Sequence, residues 1–184
     1  VFNFRITAPR DWVVSSNGVL ESEVSDPTDS NIVKRVFAPT ERISTYITAV
    51  LAGEYFTVTD TYKPQSITNN SDIPLVAYCR HSLKPHFDYD NIFRVTKNGL
   101  DFFQDLFDYP YPYPKYEQAF VPEYNIGAME NPGLVTFTED FIFVSGATED
   151  DLEGRANTIC HEMAQMWFGD LVTMKWWDDL WLKE

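Results

Sequence analysis

The hydrophobic pattern of the chain changes its period at a polar stretch between Lys63 and Asp72. Before this stretch apolar residues alternate with polar ones, as at Phe2, Phe4 and Ile6, and polar turns interrupt the alternation. A period of two is typical of β-strands, whereas the later segments include apolar residues at the spacing of a helix. A chain that combines separate strand-rich and helical segments in this way is expected to have an α+β fold.

We predict two structural parts from this change. Residues 1–74 are expected to form part of an antiparallel β-domain, with one of its strands over 44–51. Residues 75–184 are expected to begin with a strand and a helix capped by Asp90. Further strands, one of them over 134–144, should then pack on a second helix.

The composition excludes several classes of protein. With 44% hydrophobic and 16% aromatic residues, the 184-residue chain can bury a core, which excludes a disordered acidic tail. The net charge of −14 argues against binding to nucleic acid or to an anionic membrane surface. No run approaches the roughly 18 apolar residues that span a bilayer. Cys79 and Cys160 form no disulfide framework, which favours a reducing, cytoplasmic compartment.

A run of three Tyr-Pro pairs at 109–114 must end the first helix, because proline lacks the amide hydrogen and restrains the preceding residue. Such a run can be a polyproline ligand for a partner protein. We favour a rigid connector that packs through its aromatic rings.

The segment from Thr148 onward predicts a second helix that carries chemistry. Thr148 and Asp151 have the spacing of a capping box. His161 and Gln165 are four residues apart and therefore share a face. With His at both positions this geometry binds zinc, and the adjacent Glu162 activates a water molecule. With Gln at the second position the motif by itself is weak, since a lone His on a helix is more often structural.

Two other features of the sequence support the hypothesis of a metal-dependent active site. Glu184 follows Gln165 after eighteen intervening residues, and its carboxylate could complete a set of three ligands. Upstream, the sequence Gly-Ala-Met-Glu-Asn at 127–131 lies between two predicted strands. Glu130 could pair there with the free ammonium group of a substrate. The alternative is a turn in which Glu130 is solvated.

Together these motifs resemble the zinc aminopeptidases of the aminopeptidase N (M1, gluzincin) family. The resemblance covers the whole chain. It is carried by the exopeptidase motif at 127–131, by the zinc-site segments 161–162, 167–173 and 176–184, and by the N-terminal segments 6–9, 16–18 and 43–46.

The resemblance implies a partial N-terminal β-domain followed by the N-terminal half of a thermolysin-like catalytic domain. The implied activity is the zinc-dependent removal of N-terminal residues from peptides, with one Zn²⁺ per active site, in cytoplasmic peptide catabolism. His161 and Glu184 would be zinc ligands, with Gln165 in the place of the third, and Glu162 would be the general base. Glu130 would hold the substrate's free N-terminus together with the rest of its motif: Gly127, Ala128, Met129 and Asn131. Ile126 would help line the first side-chain pocket.

The sequence departs from the family at Gln165, because an amide oxygen is a poorer zinc ligand than the expected imidazole. We therefore expect zinc to be held weakly or not at all. The chain also stops at Glu184, before the family's oxyanion-stabilising Tyr. We expect an inactive fragment that self-associates through exposed edges.

The first alternative is a non-catalytic, peptide-binding pseudo-peptidase, which Gln165 favours and the retained Glu162 opposes. A zinc endopeptidase is a third possibility, and the motif around Glu130 argues against it.

His81 and His86 lack a nearby third ligand and are interpreted as packing or polar residues. Cys160 cannot face the adjacent His161 on a helix and is interpreted as inert.

Overall fold

The structure, a computed structural model, describes residues 1–64 and 71–184. The strands in these residues are β1 Arg5–Pro9, β2 Val13–Ser16, β3 Leu20–Ser25, β4 Ile32–Phe37, β5 Val50–Gly53, β6 Tyr55–Tyr62, β7 Ile73–Arg80, β8 Tyr116–Val121, β9 Ala128–Met129 and β10 Leu134–Thr138. The α-helices are α1 Tyr89–Phe107 and α2 Glu149–Gln165, and 3-10 turns lie at Thr45–Ile47, His81–His86, Glu139–Phe141 and Trp177–Leu182. The α+β class is confirmed. Within the described ranges, neither helix is long and apolar enough to cross a membrane.

The first five strands form two small antiparallel sheets. One has the order β1-β4-β3, and the other pairs β2 with β5. The strand predicted over 44–51 is wrong in its first half, because Thr45–Ile47 forms a 3-10 turn. The amide and the hydroxyl of Thr48 both donate to the carbonyl of Thr45, at 3.4 and 2.8 Å, which closes the chain into this turn.

The larger sheet has five strands in the order β6-β7-β8-β10-β9. Its central pairs, β7 with β8 and β8 with β10, are parallel, and the outer pairs are antiparallel. Because β6 pairs with β7, this sheet continues across the predicted boundary at 74/75, which falls within β7. Part of the polar stretch used to place the boundary, residues 65–70, lies outside the described residues. The division into domains stays a prediction.

The two helices pack on the large sheet and on each other around one hydrophobic core. Helix α1 begins after Asp88, whose side chain accepts a hydrogen bond from the amide of Asn91, so the predicted cap at Asp90 is two residues late. Ile92 and Leu100 of α1 and Ile159 of α2 are fully buried in this core.

The predicted capping box of α2 is present. The side chain of Thr148 accepts from the amide of Asp151, and Asp151 accepts in return from the amide of Thr148. Further along α2, the buried guanidinium of Arg155 donates to Asp88 at 2.8 Å and to Asn91 at 3.1 Å. These bonds fix the start of α1 against α2.

The N-terminal strands meet the large sheet through a buried polar network. The ammonium of Lys115 lies 3.1 Å from the carboxylate of Glu117 and donates to the hydroxyl of Ser15 at 3.0 Å. The amide of Asn17 donates to the carbonyl of Pro132 at 2.9 Å. Because Pro132 directly follows the segment 127–131, this contact anchors the end of the exopeptidase-like motif on the N-terminal strands.

Candidate active site

The C-terminal end of α2 brings His161 and Gln165 to one face, as their spacing predicts. The Nε2 atoms of the two side chains are 3.3 Å apart. Gln165 is buried, whereas the side chain of His161 is about half exposed. The pair therefore lies at the boundary between the core and the surface.

The last residues of the chain return to this face. The amide Nε2 of Gln165 donates to the carbonyl of Lys183 at 2.8 Å. This bond holds Glu184 near the helix, with its Oε2 4.0 Å from the Nε2 of His161. The structure thus brings His161, Gln165 and Glu184 together, although eighteen residues separate the last two.

The three side chains meet the geometric requirement for a metal only in part. Two ligands of a tetrahedral zinc ion, each at ~2.0–2.1 Å from it, lie roughly 3.3 Å from each other. The spacings from His161 to Gln165 and to Glu184, at 3.3 and 4.0 Å, are close to this value. However, Gln165 presents its NH₂ group to His161, and its Oε1 is buried without a hydrogen-bond partner in the described ranges.

The orphaned Oε1 of Gln165 could become a ligand if the amide rotated, at the cost of the bond to Lys183. Residues 1–64 and 71–184, which the structure describes, contain no group of three His, Cys, Asp or Glu side chains placed to hold a metal ion. The site therefore offers two strong ligand types, the imidazole of His161 and the carboxylate of Glu184, and an amide in third place.

Glu162, next to His161 on α2, is buried, with only 6% of its surface exposed. Desolvation, followed by the charges of Glu130 and Glu184, raises the pKa of this carboxyl to about 8, against the opposing effect of Lys183. A carboxyl with a pKa of about 8 is mostly protonated at pH 7, and a nearby cation that lowered this pKa would favour the carboxylate form that a general base needs.

The exopeptidase-like motif lies on the edge of the large sheet. Ala128–Met129 forms the short edge strand β9, and Glu130 follows it directly. Glu130 is 4% exposed, so it is not a solvated turn residue. Its Oε1 accepts hydrogen bonds from the ammonium of Lys183 at 2.5 Å and from the hydroxyl of Tyr46 at 3.0 Å.

The remaining residues of the motif mainly fix the local backbone. The carbonyl of Gly127 accepts from the amide of Thr138 at 2.9 Å. The buried amide of Asn131 donates to the hydroxyl of Thr136 at 3.0 Å. Ile126 is about half exposed, next to the motif, and its place in a side-chain pocket stays a prediction.

Three residues of this region were not identified as site residues from the sequence. Lys183 and Tyr46 contact Glu130, and Asp170 is 3% exposed with neither carboxylate oxygen hydrogen-bonded within the described ranges. The sequence contained a signal for Lys183, because residues 139–184 include eleven acidic residues and only three basic ones, of which Lys183 is one. Tyr46 is 84 residues from Glu130, and no spacing rule connects two positions so far apart.

Comparison with known proteins gives consistent results. Residues 92–184 match the peptidase family M1 domain. The whole chain is 50% identical over 183 residues to aminopeptidase N of Streptomyces lividans, covering 20% of that protein. It is 35% identical over 186 residues to human aminopeptidase N, covering 18% of it. It is also 35% identical over 188 residues to the tricorn protease-interacting factor F2 of Thermoplasma volcanium, covering 22%. The chain thus spans about a fifth of the length of these relatives.

Proposed function

Since this chain belongs to peptidase family M1, we propose that it forms part of the active site of a zinc-dependent aminopeptidase that releases residues from the free N-terminus of cytoplasmic peptides. The observation that carries the proposal is the convergence of His161, Gln165 and Glu184 beside the buried carboxylates of Glu130 and Glu162. The names of two relatives, aminopeptidase N, support the same activity.

In this proposal His161 and Glu184 would hold the zinc ion, with Gln165 as a weak third ligand. When bound, zinc supplies the Lewis acidity that makes water a nucleophile near neutral pH. Glu162 accepts the proton of the attacking water on its carboxylate and later delivers a proton to the leaving amine. The burial of Glu162 limits competition from solvent for this proton.

Glu130 supplies the exopeptidase specificity. A buried carboxylate at the edge strand can bind the α-ammonium of a peptide and so place the first peptide bond near Glu162. Gly127 and Ala128 lie beside it and are assigned to the alignment of the substrate backbone. A substrate without a free amine would gain no ammonium–carboxylate contact at Glu130 and would bind more weakly, which disfavours endopeptidase activity.

A pseudo-peptidase is the second candidate, and the orientation of Gln165 favours it. With its NH₂ group toward His161 and bonded to the carbonyl of Lys183, the amide links α2 to the last residues of the chain without metal. Such a protein would bind peptides through Glu130 and would not cleave them.

The deciding experiment compares the native sequence with Gln165→His in the longest natural chain that contains residues 1–184. Each protein is assayed in excess zinc on leucyl anilide and on its N-acetylated form, and its bound zinc is measured by mass spectrometry. We expect Gln165→His to raise zinc content, and kcat/KM on the free-amine substrate by at least about tenfold, because imidazole is the better ligand. The double variant that combines Gln165→His with Glu162→Gln is the inactive control.

Three results would lead to different conclusions. Turnover of the free-amine substrate alone supports the aminopeptidase. No zinc and no turnover from either protein would leave the pseudo-peptidase. Equal turnover of the acetylated substrate would indicate an endopeptidase.

A further inference from the structure

The carboxylate of Glu130 already holds an ammonium group in this structure, and that group belongs to the chain itself. The Nζ of Lys183 lies 2.5 Å from the Oε1 of Glu130 and 2.9 Å from the Oε1 of Glu184. The same Nζ lies 5.0 Å from the centre of the Tyr46 ring, within cation–π range. Two carboxylates and an aromatic face therefore surround this ammonium.

In this cage around Lys183, formed by Glu130, Glu184 and Tyr46, the two side chains of the Lys183–Glu130 ion pair are largely shielded from water. Those of Lys183 and Glu130 are 7% and 5% exposed, respectively. Burial alone lowers the pKa of Lys183, but hydrogen bonds to Glu130, Tyr46 and Glu184 raise it above its ordinary value. The ion pairs with Glu130 and Glu184 thus hold the ammonium in place.

We propose that Lys183 is an internal occupant of the ammonium site at Glu130 and that a primary amine, such as the N-terminus of a peptide, must displace it to bind there. This inference rests on the proposed function, in which Glu130 receives the N-terminus. It adds Lys183 as a residue that sets the affinity of that site for amines.

Displacement follows from the placement of the charges. Both observed hydrogen bonds to Glu130, from Lys183 and from Tyr46, go to the same oxygen, Oε1. A second ammonium at this carboxylate would lie within a few ångströms of the first, where two like charges repel strongly in a buried site. Lys183 has a second acceptor in Glu184, whose side chain is half exposed, and it can shift toward that carboxylate when the amine arrives.

The experiment measures the binding of leucinamide and of N-acetylleucinamide by calorimetry, in the longest natural chain that contains residues 1–184. Lys183→Met keeps the apolar stem and removes the internal ammonium, and Lys183→Gln provides a second neutral variant should the first fail to fold. Lys175→Met is the matched control, because Lys175 is exposed and the change in charge is the same. Melting temperatures check that each variant is folded.

We expect the Lys183 variants to bind leucinamide at least about tenfold more tightly than the native protein and the Lys175 control, since one charge-assisted contact no longer competes. Binding of N-acetylleucinamide should stay weak in all of them. If the native protein prefers leucinamide but neither Lys183 variant binds it more tightly, the contact is structural and this inference is overturned. If the native protein does not distinguish the two amides, the ammonium site at Glu130 and the proposed function fail together with it.

Discussion

At the scale of single residues, the described part of the site combines buried acidic side chains with the ammonium of Lys183. Glu130, Glu162 and Asp170 are each at most 6% exposed, and Lys183 is the cation that they share. Removing carboxylates from water is costly unless they are paired or protonated. Desolvation first, and then the charge of Glu130, raises the pKa of Asp170 to about 9, while Lys183 opposes the shift.

Asp170 should therefore make stability depend on pH. Its pKa in the folded chain, about 9, lies above the ordinary 3.8, so the folded state binds a proton that the unfolded state has released between these values. Its contribution is fully present below pH ~4 and is lost as the pH rises toward ~9. We expect Asp170→Asn to reduce the fall in unfolding free energy between pH 6 and 8, by up to about 1.4 kcal/mol per pH unit.

Urea unfolding of the 184-residue chain in the presence of a chelator measures this difference. Asp11→Asn is the control, because it makes the same change of charge at an exposed position. Parallel pH profiles for native protein, Asp170→Asn and Asp11→Asn would show that Asp170 is ionised in the folded state.

The positions of residues in the structure could be predicted from sequence where a local rule was available. His161 and Gln165 share a helix face because the period of α2 requires it, and the capping box set the start of that helix. Tyr46 was not predicted as a site residue because its contact with Glu130 depends on how the N-terminal strands pack on the large sheet. Its pairing is a property of the tertiary fold and has no local signal.

At the scale of elements, the strand boundaries show where periodicity stops being informative. The strand predicted over 134–144 ends as β10 at Thr138, because the side chain of Thr138 accepts from the amide of Asp140 and starts a 3-10 turn. The apolar residues after this turn form no strand, yet Ile142 is buried in the core. Apolar side chains can thus be buried in irregular segments as well as in strands, so an apolar pattern alone does not fix where a strand ends.

The packing of α1 on α2 leads to a prediction that compares two helical glycines. A Cβ at Gly99 in α1 would lie 2.9 Å from the Sδ of Met163, whereas a Cβ at Gly154 in α2 would meet nothing within 4 Å. We expect Gly154→Ala to raise the unfolding free energy by about 0.5–1 kcal/mol through helix propensity. Gly99→Ala should lower it by about 1 kcal/mol, because overpacking exceeds the same gain.

The two alanine variants serve as each other's control in urea unfolding of the 184-residue chain. An equal rise in both would mean that the side chain of Met163 moves aside without cost, and that the contact between α1 and α2 at Gly99 is loose.

At the scale of the whole molecule, the apolar surface is concentrated after α2. Exposed residues follow one another between 168 and 182, namely Phe168, Leu171, Val172, Trp176, Trp177, Leu180, Trp181 and Leu182. Contiguous exposed apolar surface of this kind promotes association. The net charge of −14 opposes association through long-range repulsion, which salt screens.

We therefore expect the 184-residue chain to self-associate, more strongly at 0.5 M than at 0.05 M salt, in sedimentation velocity. Replacing both Trp176 and Trp181 by Ser should restore a monomer, because these side chains are 66% and 70% exposed. Trp177 is kept, since its ring packs against Tyr46 with centroids 6.2 Å apart and supports the cage around Lys183. Trp12→Ser is the control, because Trp12 is exposed outside this surface. A native chain that sediments as a monomer at both salt concentrations would contradict the prediction, and equal loss of association in the Trp12 variant would place the contact elsewhere.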